Sequence, residues 1–389
     1  MKEEIIIAGM ARTPIGNFQG AFTGVPATAL GSHAIKAALS RAGTKADEVQ
    51  EVLMGCVLPA GLGQAPARQA SLGAGLPKSA GCVTLNKVCG SGMKAVMLAH
   101  DSIAAGTNDI VVAGGMESMT NAPHLLPTGR SGIKYGHGEI LDHMAWDGLE
   151  DAYKKRTAMG VFAEMCAREH QFSRAAQDEF SMRSVTRAQA AIKDGLFRDE
   201  IAAFEVAGRK GPVTVADDEK PGTVDAGKIP SLRPAFEKDG TVTAGSSSAI
   251  SDGAAALVVT RASKAASAVA RIVGHATHSQ EPEWFTTAPV GSIAKLLEKI
   301  GWSARDVDLF EINEAFAVVP MAAMKELKIP AEKVNVNGGA IALGHPIGCS
   351  GARLIVTLVH ALKARGGKRG IASLCIGGGE ATSLAVELV

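Results

Sequence analysis

Four short stretches of this chain carry residue types that could act together in acyl chemistry. Cys89 lies in NKVCGSGMKA, directly before a helical pattern with apolar Met93, Val96, Met97 and Ile103. A thiol at a helix N-terminus faces unsatisfied N–H groups and the positive dipole end, which stabilise thiolate. Cys89 therefore reads either as a nucleophile or, like most free cysteines, as a small buried hydrophobe. His345 sits between Gly344 and Pro346 in GGAIALGHPIGCSGAR, a loop poor for packing and good for presenting an imidazole. Neutral imidazole there could take the Cys89 proton, and the imidazolium could later donate to an oxyanion. Cys375 ends a strand-like run in SLCIGGGEA, and the glycines 377–379 leave N–H groups open for an oxyanion hole or simply make a tight turn. Asn313, at the end of the strand-like FEIN, could hold a water or polarise a carbonyl; a capping role is the plainer reading.

The elements that must position these residues come in two copies. A strand-like run (Ile5 to Gly9), a helical run (Gly31 to Arg41) and a second strand-like run (VLMGCVL) recur as RIVGHAT, a helical run (Ser292 to Lys299) and DLFEIN. Gly43 and Gly301 should end the two helices, where glycine takes the left-handed turn cheaply. The second parts match as well. Ser91-Gly92 parallels Ser350-Gly351, and Gly114-Gly115 with Glu117 parallels Gly377-Gly378 with Glu380. Alternating strand and helix predicts an α/β fold of two pseudo-symmetric halves around a mainly parallel sheet. Between the halves, a region richer in charge and turn residues contains a long helical pattern from Arg174 to Asp194, with Ser173 as N-cap and Gly195 as stop. SSSAISDGAAALVVT then reads as a loop feeding a buried strand that returns to the first half's sheet.

Composition narrows the partners. The 389 residues suggest two or three domains. Forty Lys and Arg against 39 Asp and Glu give a net charge of +1, so no global field favours nucleic acid or an anionic membrane. No apolar run approaches the roughly 20 residues of a membrane span. MKEEIIIAGM has its charges and apolar run in the wrong order for a secretory signal. The six cysteines form no CxxC pair, so neither a zinc ribbon nor a disulfide scaffold is indicated. His275 and His278 lack convincing partners and read as surface or structural; no metal site and no Walker or GxGxxG loop is expected. A reduced, cytoplasmic protein is the expectation.

Taken together, NKVCGSGMKA, NEAFA, GGAIALGHPIGCSGAR and CIGGGE resemble the motifs of the thiolase family, in its order and spacing. TAGSSSAISDGAAA, 243–256, resembles the family's pantetheine-binding loop, and ESM, 117–119, the start of its loop domain. The resemblance runs from Ile5 to the C-terminus. It implies a layered αβαβα core: an N-terminal half, 1–119, completed by 245–268; a loop domain, 120–244, for coenzyme A (CoA) and oligomer contacts; and a C-terminal half, 269–389. It implies acyl transfer without a cofactor, acyl-CoA and CoA being the substrates, in a homotetramer or homodimer. Two acetyl-CoA would condense to acetoacetyl-CoA plus CoA through an acyl-Cys89 intermediate. A degradative 3-ketoacyl-CoA thiolase with a longer acyl pocket is the nearest alternative, and a non-catalytic relative a more distant one.

The resemblance also assigns roles. His345 would activate Cys89 and, with a water on Asn313, bind the second thioester oxygen. Cys375 would take the α-proton, which separates this site from that of a decarboxylating ketoacyl synthase. The Cys89 and Gly377 N–H groups would form the oxyanion hole. Met159, Ala244, Ser248 and Phe316 match positions touching the pantetheine, and Phe285 a position facing the acyl pocket. Short-chain biosynthetic members usually read His-Met-Gly where this chain has Ala158-Met159-Gly160. No residue clearly matches the basic group at the nucleotide end of CoA.

Overall fold

The computed structural model describes residues 3–208 and 210–389. Both halves are built from the same local signals. The helix Ala27–Ala42 ends at Gly43 (φ 64°) and its counterpart Ala288–Ile300 at Gly301 (φ 68°), both left-handed as expected. The first strands, Ile5–Arg12 and Ala270–Ser279, lie side by side, antiparallel through Ile6 with Arg271 and Ile7 with Ala270. Outward from Ile5–Arg12 come Ser251–Arg261, Ile110–Ser118, Glu51–Gly55 and Gly81–Leu85. Outward from Ala270–Ser279 come Glu380–Leu388, Arg369–Ile376 and Leu309–Ile312 in the matching order.

The expected mainly parallel pairing is not what forms. Parallel ladders are confined to Glu51–Gly55 with its two neighbours and to Leu309–Ile312 with Arg369–Ile376; the other neighbours in this order are antiparallel. In each half a return strand, Ser251–Arg261 or Glu380–Leu388, is inserted beside the first strand and reverses direction on both sides. The strand–helix alternation in the sequence registers the crossovers and is silent about the returns.

Helices cover the sheets in layers. Ala27–Ala42 packs outside the first half and Ala288–Ile300 outside the second. Between the two halves of the sheet run Ser91–Ala104 and Ile347–Arg365, sharing one apolar core with strands of both halves. Burial on nearly all sides explains why Ile347–Arg365 is apolar enough to cross a membrane by composition while being 83% buried in the protein. The two central helices cross at glycine. A Cβ on Gly92 would lie 2.8 Å from the Ala352 nitrogen, and one on Gly351 would lie 2.4 Å from the Met93 nitrogen. The glycines of the repeated Ser-Gly pairs are therefore one contact between the halves.

The intervening region carries helices Met159–Glu169 and Arg174–Lys193, the latter capped by Ser173 Oγ, which accepts from the Ala176 N–H. Gly195 follows that helix with φ 72°. A buried ion pair fixes the region to the core: Arg12 reaches Glu200 at 2.6 Å and Asp218 at 2.7 Å. The strand Ser251–Arg261 returns to the first half's sheet as the sequence indicated.

Candidate active site

Cys89 is presented by a constrained loop. Val88, immediately before it, has φ 46°, a left-handed conformation unfavourable for a β-branched residue by about 1–2 kcal/mol. Neighbouring groups hold it there. Asn86 Oδ1 accepts from the Val88 N–H (2.8 Å), and Ser91 Oγ accepts from the Lys87 N–H (2.8 Å) while donating to the Val88 carbonyl (2.7 Å). Gly90 leaves room for Ile376, whose Cδ1 would lie 2.4 Å from an added Cβ. The helix Ser91–Ala104 starts two residues beyond the thiol.

The Cys89 side chain borders a largely apolar cavity of about 310 Å³, which His345, Cys375 and Gly377 also line. Met159, Ser248, Phe285 and Phe316 form part of the same wall. Two expected residues are not on it. Asn313 is buried behind His345, its Nδ2 3.3 Å from His345 Nε2 and its Oδ1 without a partner. Ala244 lines a separate hollow of about 270 Å³ together with Lys220 and Lys228. Thr243 Oγ1 accepts from the Gly245 and Ser246 N–H groups, and the resulting turn buries Ser246 while leaving Ala244 outside.

Electrostatics at the resting site differ from the expected thiolate. Burial pushes the Cys89 thiol up to about 11, although the nearby Gly377 and Cys89 N–H groups pull the other way. Desolvation by the apolar wall outweighs the local dipoles. Burial raises Cys375 well above the ordinary thiol range, with the nearby Cys89 adding to it. Burial also lowers His345 to about 3, and the Arg353 charge acts in the same direction. The resting site therefore holds two thiols and a neutral imidazole. Hydrogen bonding assigns the tautomer. The Ser350 hydroxyl donates to the Pro346 carbonyl (2.9 Å), so it accepts from His345 Nδ1–H (2.5 Å), leaving Nε2 unprotonated and facing the Asn313 amide Nδ2.

Three supporting residues carried no site role in the sequence. Ser350 was visible only as the repeat partner of Ser91, whose loop-holding role it shares. Glu117 is fully buried and accepts from the N–H groups of Val57 (3.0 Å), Leu58 (3.1 Å) and Gly348 (2.8 Å), tying the first half to the start of the second half's central helix. Burial raises its carboxyl to about 7. Glu314 accepts from Ser184 Oγ (2.6 Å), Asn335 Nδ2 (2.8 Å) and the Ile341 N–H (3.1 Å), anchoring the helix Arg174–Lys193 beneath the His345 loop. A buried carboxylate with several donors leaves no short-range spacing in a sequence.

Comparison with known proteins agrees along the whole chain. The family model described as the thiolase N-terminal domain matches residues 5–263, and that described as the thiolase C-terminal domain matches 266–388. Acetyl-CoA acetyltransferase 2 of Arabidopsis thaliana is 52% identical over 99% of this chain and 97% of its own length. The acetyl-CoA acetyltransferase of Cupriavidus necator is 48% identical over 99% of both chains. The crystal structure of the Bacillus anthracis acetyl-CoA acetyltransferase superposes with a TM-score of 0.96 at 41% identity, covering 100% of this chain and 99% of that one.

Proposed function

The chain belongs to the thiolase family, and on that premise we propose that it is an acetyl-CoA C-acetyltransferase acting by a ping-pong mechanism. The observation that carries this reading is the pair of thiols, Cys89 and Cys375, sharing one apolar cavity with His345 and the Gly377 backbone. In the first half-reaction His345 Nε2 takes the Cys89 proton as the sulfur attacks the thioester carbonyl. The Cys89 and Gly377 N–H groups stabilise the tetrahedral oxyanion, each such donor contributing roughly 3–4 kcal/mol. The imidazolium then protonates the departing CoA thiolate, leaving acetyl-Cys89. In the second, neutral His345 takes the Cys375 proton, the Cys375 thiolate removes the α-proton of another acetyl-CoA, and the His345 imidazolium with a water held by Asn313 stabilises the enolate oxygen. The new C–C bond forms at the acetyl carbonyl as its bond to the Cys89 sulfur breaks, and the imidazolium proton passes to that sulfur, restoring two thiols and a neutral imidazole.

Met159, Ser248 and Phe316 would guide the pantetheine, and Ala244 would meet CoA farther from the thioester, in the hollow beside Lys220. Phe285 supports a short acyl chain: it is 3% exposed and packs edge-to-face on Phe162 and Phe316, at ring separations of 6.5 and 6.4 Å. Residues 120–244 would act as the loop domain between the two halves. The exposed apolar side chains Leu126, Ile133, Tyr135 and Ile140 within it support its role in a homotetramer. A cytoplasmic setting suits two catalytic thiols that must stay reduced.

The test is CoA-dependent thiolysis across 3-ketoacyl-CoA substrates from acetoacetyl-CoA upwards. Activity confined to acetoacetyl-CoA is expected. Faster cleavage of longer chains would move the protein to the degradative group, and no cleavage by folded protein would remove the enzyme reading.

A further inference from the structure

At the far end of the helix that Cys89 precedes, the fold brings a distant imidazole, His275, to the adjacent pair His100 and Asp101. His100 and Asp101 sit in the last turn of Ser91–Ala104, and His275 comes from the strand Ala270–Ser279 of the other half. Asp101 Oδ1 lies 2.9 Å from His275 Nε2 and 3.2 Å from His100 Nδ1, and the three ligand atoms lie within 4.8 Å of one another. The two rings meet edge-to-face, 5.1 Å between centroids.

We infer that His100, Asp101 and His275 form a binding site for a borderline divalent transition metal of the zinc type, distinct from the acyl-transfer cavity. Metal bonds of about 2.0–2.2 Å meeting at tetrahedral or octahedral angles separate neighbouring ligand atoms by about 3.0–3.4 Å, close to the two spacings from Asp101 Oδ1 to the imidazole nitrogens. Two imidazoles and one carboxylate suit Zn²⁺, Co²⁺ or Ni²⁺, and three protein ligands leave a position for water. The negative end of the helix dipole favours a cation at this turn. Access is open from one side: the Asp101 side chain is 52% exposed and His100 21%, against 10% for His275. Lys299 is the opposing charge close by, and its Nζ is held on the His275 carbonyl oxygen at 3.1 Å. Bound metal would tie the last turn of one half's central helix to the first strand of the other half.

The test is calorimetric titration of the full-length protein with ZnCl₂ after alkylation of accessible thiols, repeated with CoCl₂ and followed by visible absorption. One saturable ion per chain is expected, with a cobalt spectrum free of thiolate charge-transfer bands. Zn²⁺ should raise the melting temperature reversibly to EDTA. His100→Ala and Asp101→Asn alter partly exposed side chains and should each weaken binding by more than about tenfold, the least that loss of even an outer-sphere partner produces. His278→Gln, outside the cluster, should bind as the parent does. Unchanged affinity in both His100→Ala and Asp101→Asn, a sulfur charge-transfer band, or no saturable binding would each overturn the site. None of these readouts depends on the acetyltransferase reaction, so this inference and the proposed function fail separately.

Discussion

The two halves of the molecule use the same Gly-Gly-x-Glu pattern for opposite purposes. In the first half Gly114, Gly115 and Glu117 lie inside the strand Ile110–Ser118. A Cβ on Gly114 would meet the Ala255 oxygen at 2.1 Å, and one on Gly115 the Gly348 oxygen at 2.0 Å, so both glycines are there for close packing. In the second half the chain leaves its strand at Ile376 and turns back at Glu380, and Gly377–Gly379 form the turn. An added Cβ on Gly377 meets nothing nearer than Met159 Cε at 3.6 Å, and one on Gly378 meets nothing within 4 Å. The acidic residues diverge in the same way. Glu117 is fully buried and binds three backbone N–H groups, whereas Glu380 is partly exposed and pairs with Lys87. The connection that takes three glycines in the second half is opened in the first to admit residues 119–250. One scaffold thus supplies a packed joint and a long insertion on one side, and a cavity-lining turn on the other.

Replacements that treat the halves unequally would sharpen this contrast. The largest effect is expected at the two thiols. Cys89→Ala should abolish acyl-enzyme formation and lower turnover by at least about a thousandfold, as removal of a nucleophile does elsewhere. Cys375→Ser should leave acetylation of Cys89 intact and stop condensation; loss of both steps together, read by mass spectrometry of the acyl-enzyme, would count against the division of labour. Next come the glycines. Gly115→Ala forces backbone apart and should destabilise by about 3 kcal/mol or more, visible as a large fall in melting temperature or loss of soluble protein. Gly378→Ala enters open space and carries only the penalty of φ 92°, about 1–2 kcal/mol. Equal destabilisation by the two would break the comparison.

Ser350→Ala removes the acceptor that fixes the His345 tautomer and should lower kcat roughly tenfold to a hundredfold with little change in KM. Ser91→Ala, its repeat partner, should act first on stability through the Val88 loop. The smallest effect is one of pH. With Cys89 near 11 and His345 near 3, the thiolate fraction of free enzyme rises with pH throughout the neutral range. Alkylation of Cys89 should therefore accelerate by about tenfold per pH unit between roughly pH 7 and 9. A plateau near neutrality would mean that a thiolate–imidazolium pair already exists at rest.

Much of this was legible in the sequence because it rests on local chemistry. Gly43 and Gly301 announce their helix ends, Ser173 its cap, and the doubled Ser-Gly pairs the relation between halves. Cys89, His345 and Cys375 could be singled out because glycine-rich loops around a thiol or an imidazole are poor packing and good presentation. What stayed hidden depends on distance through space. The antiparallel return strands have no marker in strand–helix alternation. The Cys89 thiolate expected from a helix N-terminus gives way to a thiol, since the apolar wall that desolvates it is drawn from segments as remote as Phe236 and Phe316. His275 looked partnerless until His100 and Asp101 arrived from the opposite half.

The glycine crossing of the central helices has a consequence for how such a protein can change. Cys89 and His345 each sit just ahead of one of these helices, and the helices touch where Gly92 and Gly351 leave no slack. The spacing between the proposed nucleophile and base is thereby set by a ruler with a single mark, which side-chain variation in the surrounding core can hardly move. Selectivity is under no such constraint. The acyl cavity is closed by Met159 and Phe236 from the inserted region and by Phe285, all removable without disturbing that mark. Evolution or a designer could retailor what enters while inheriting the reaction geometry unaltered.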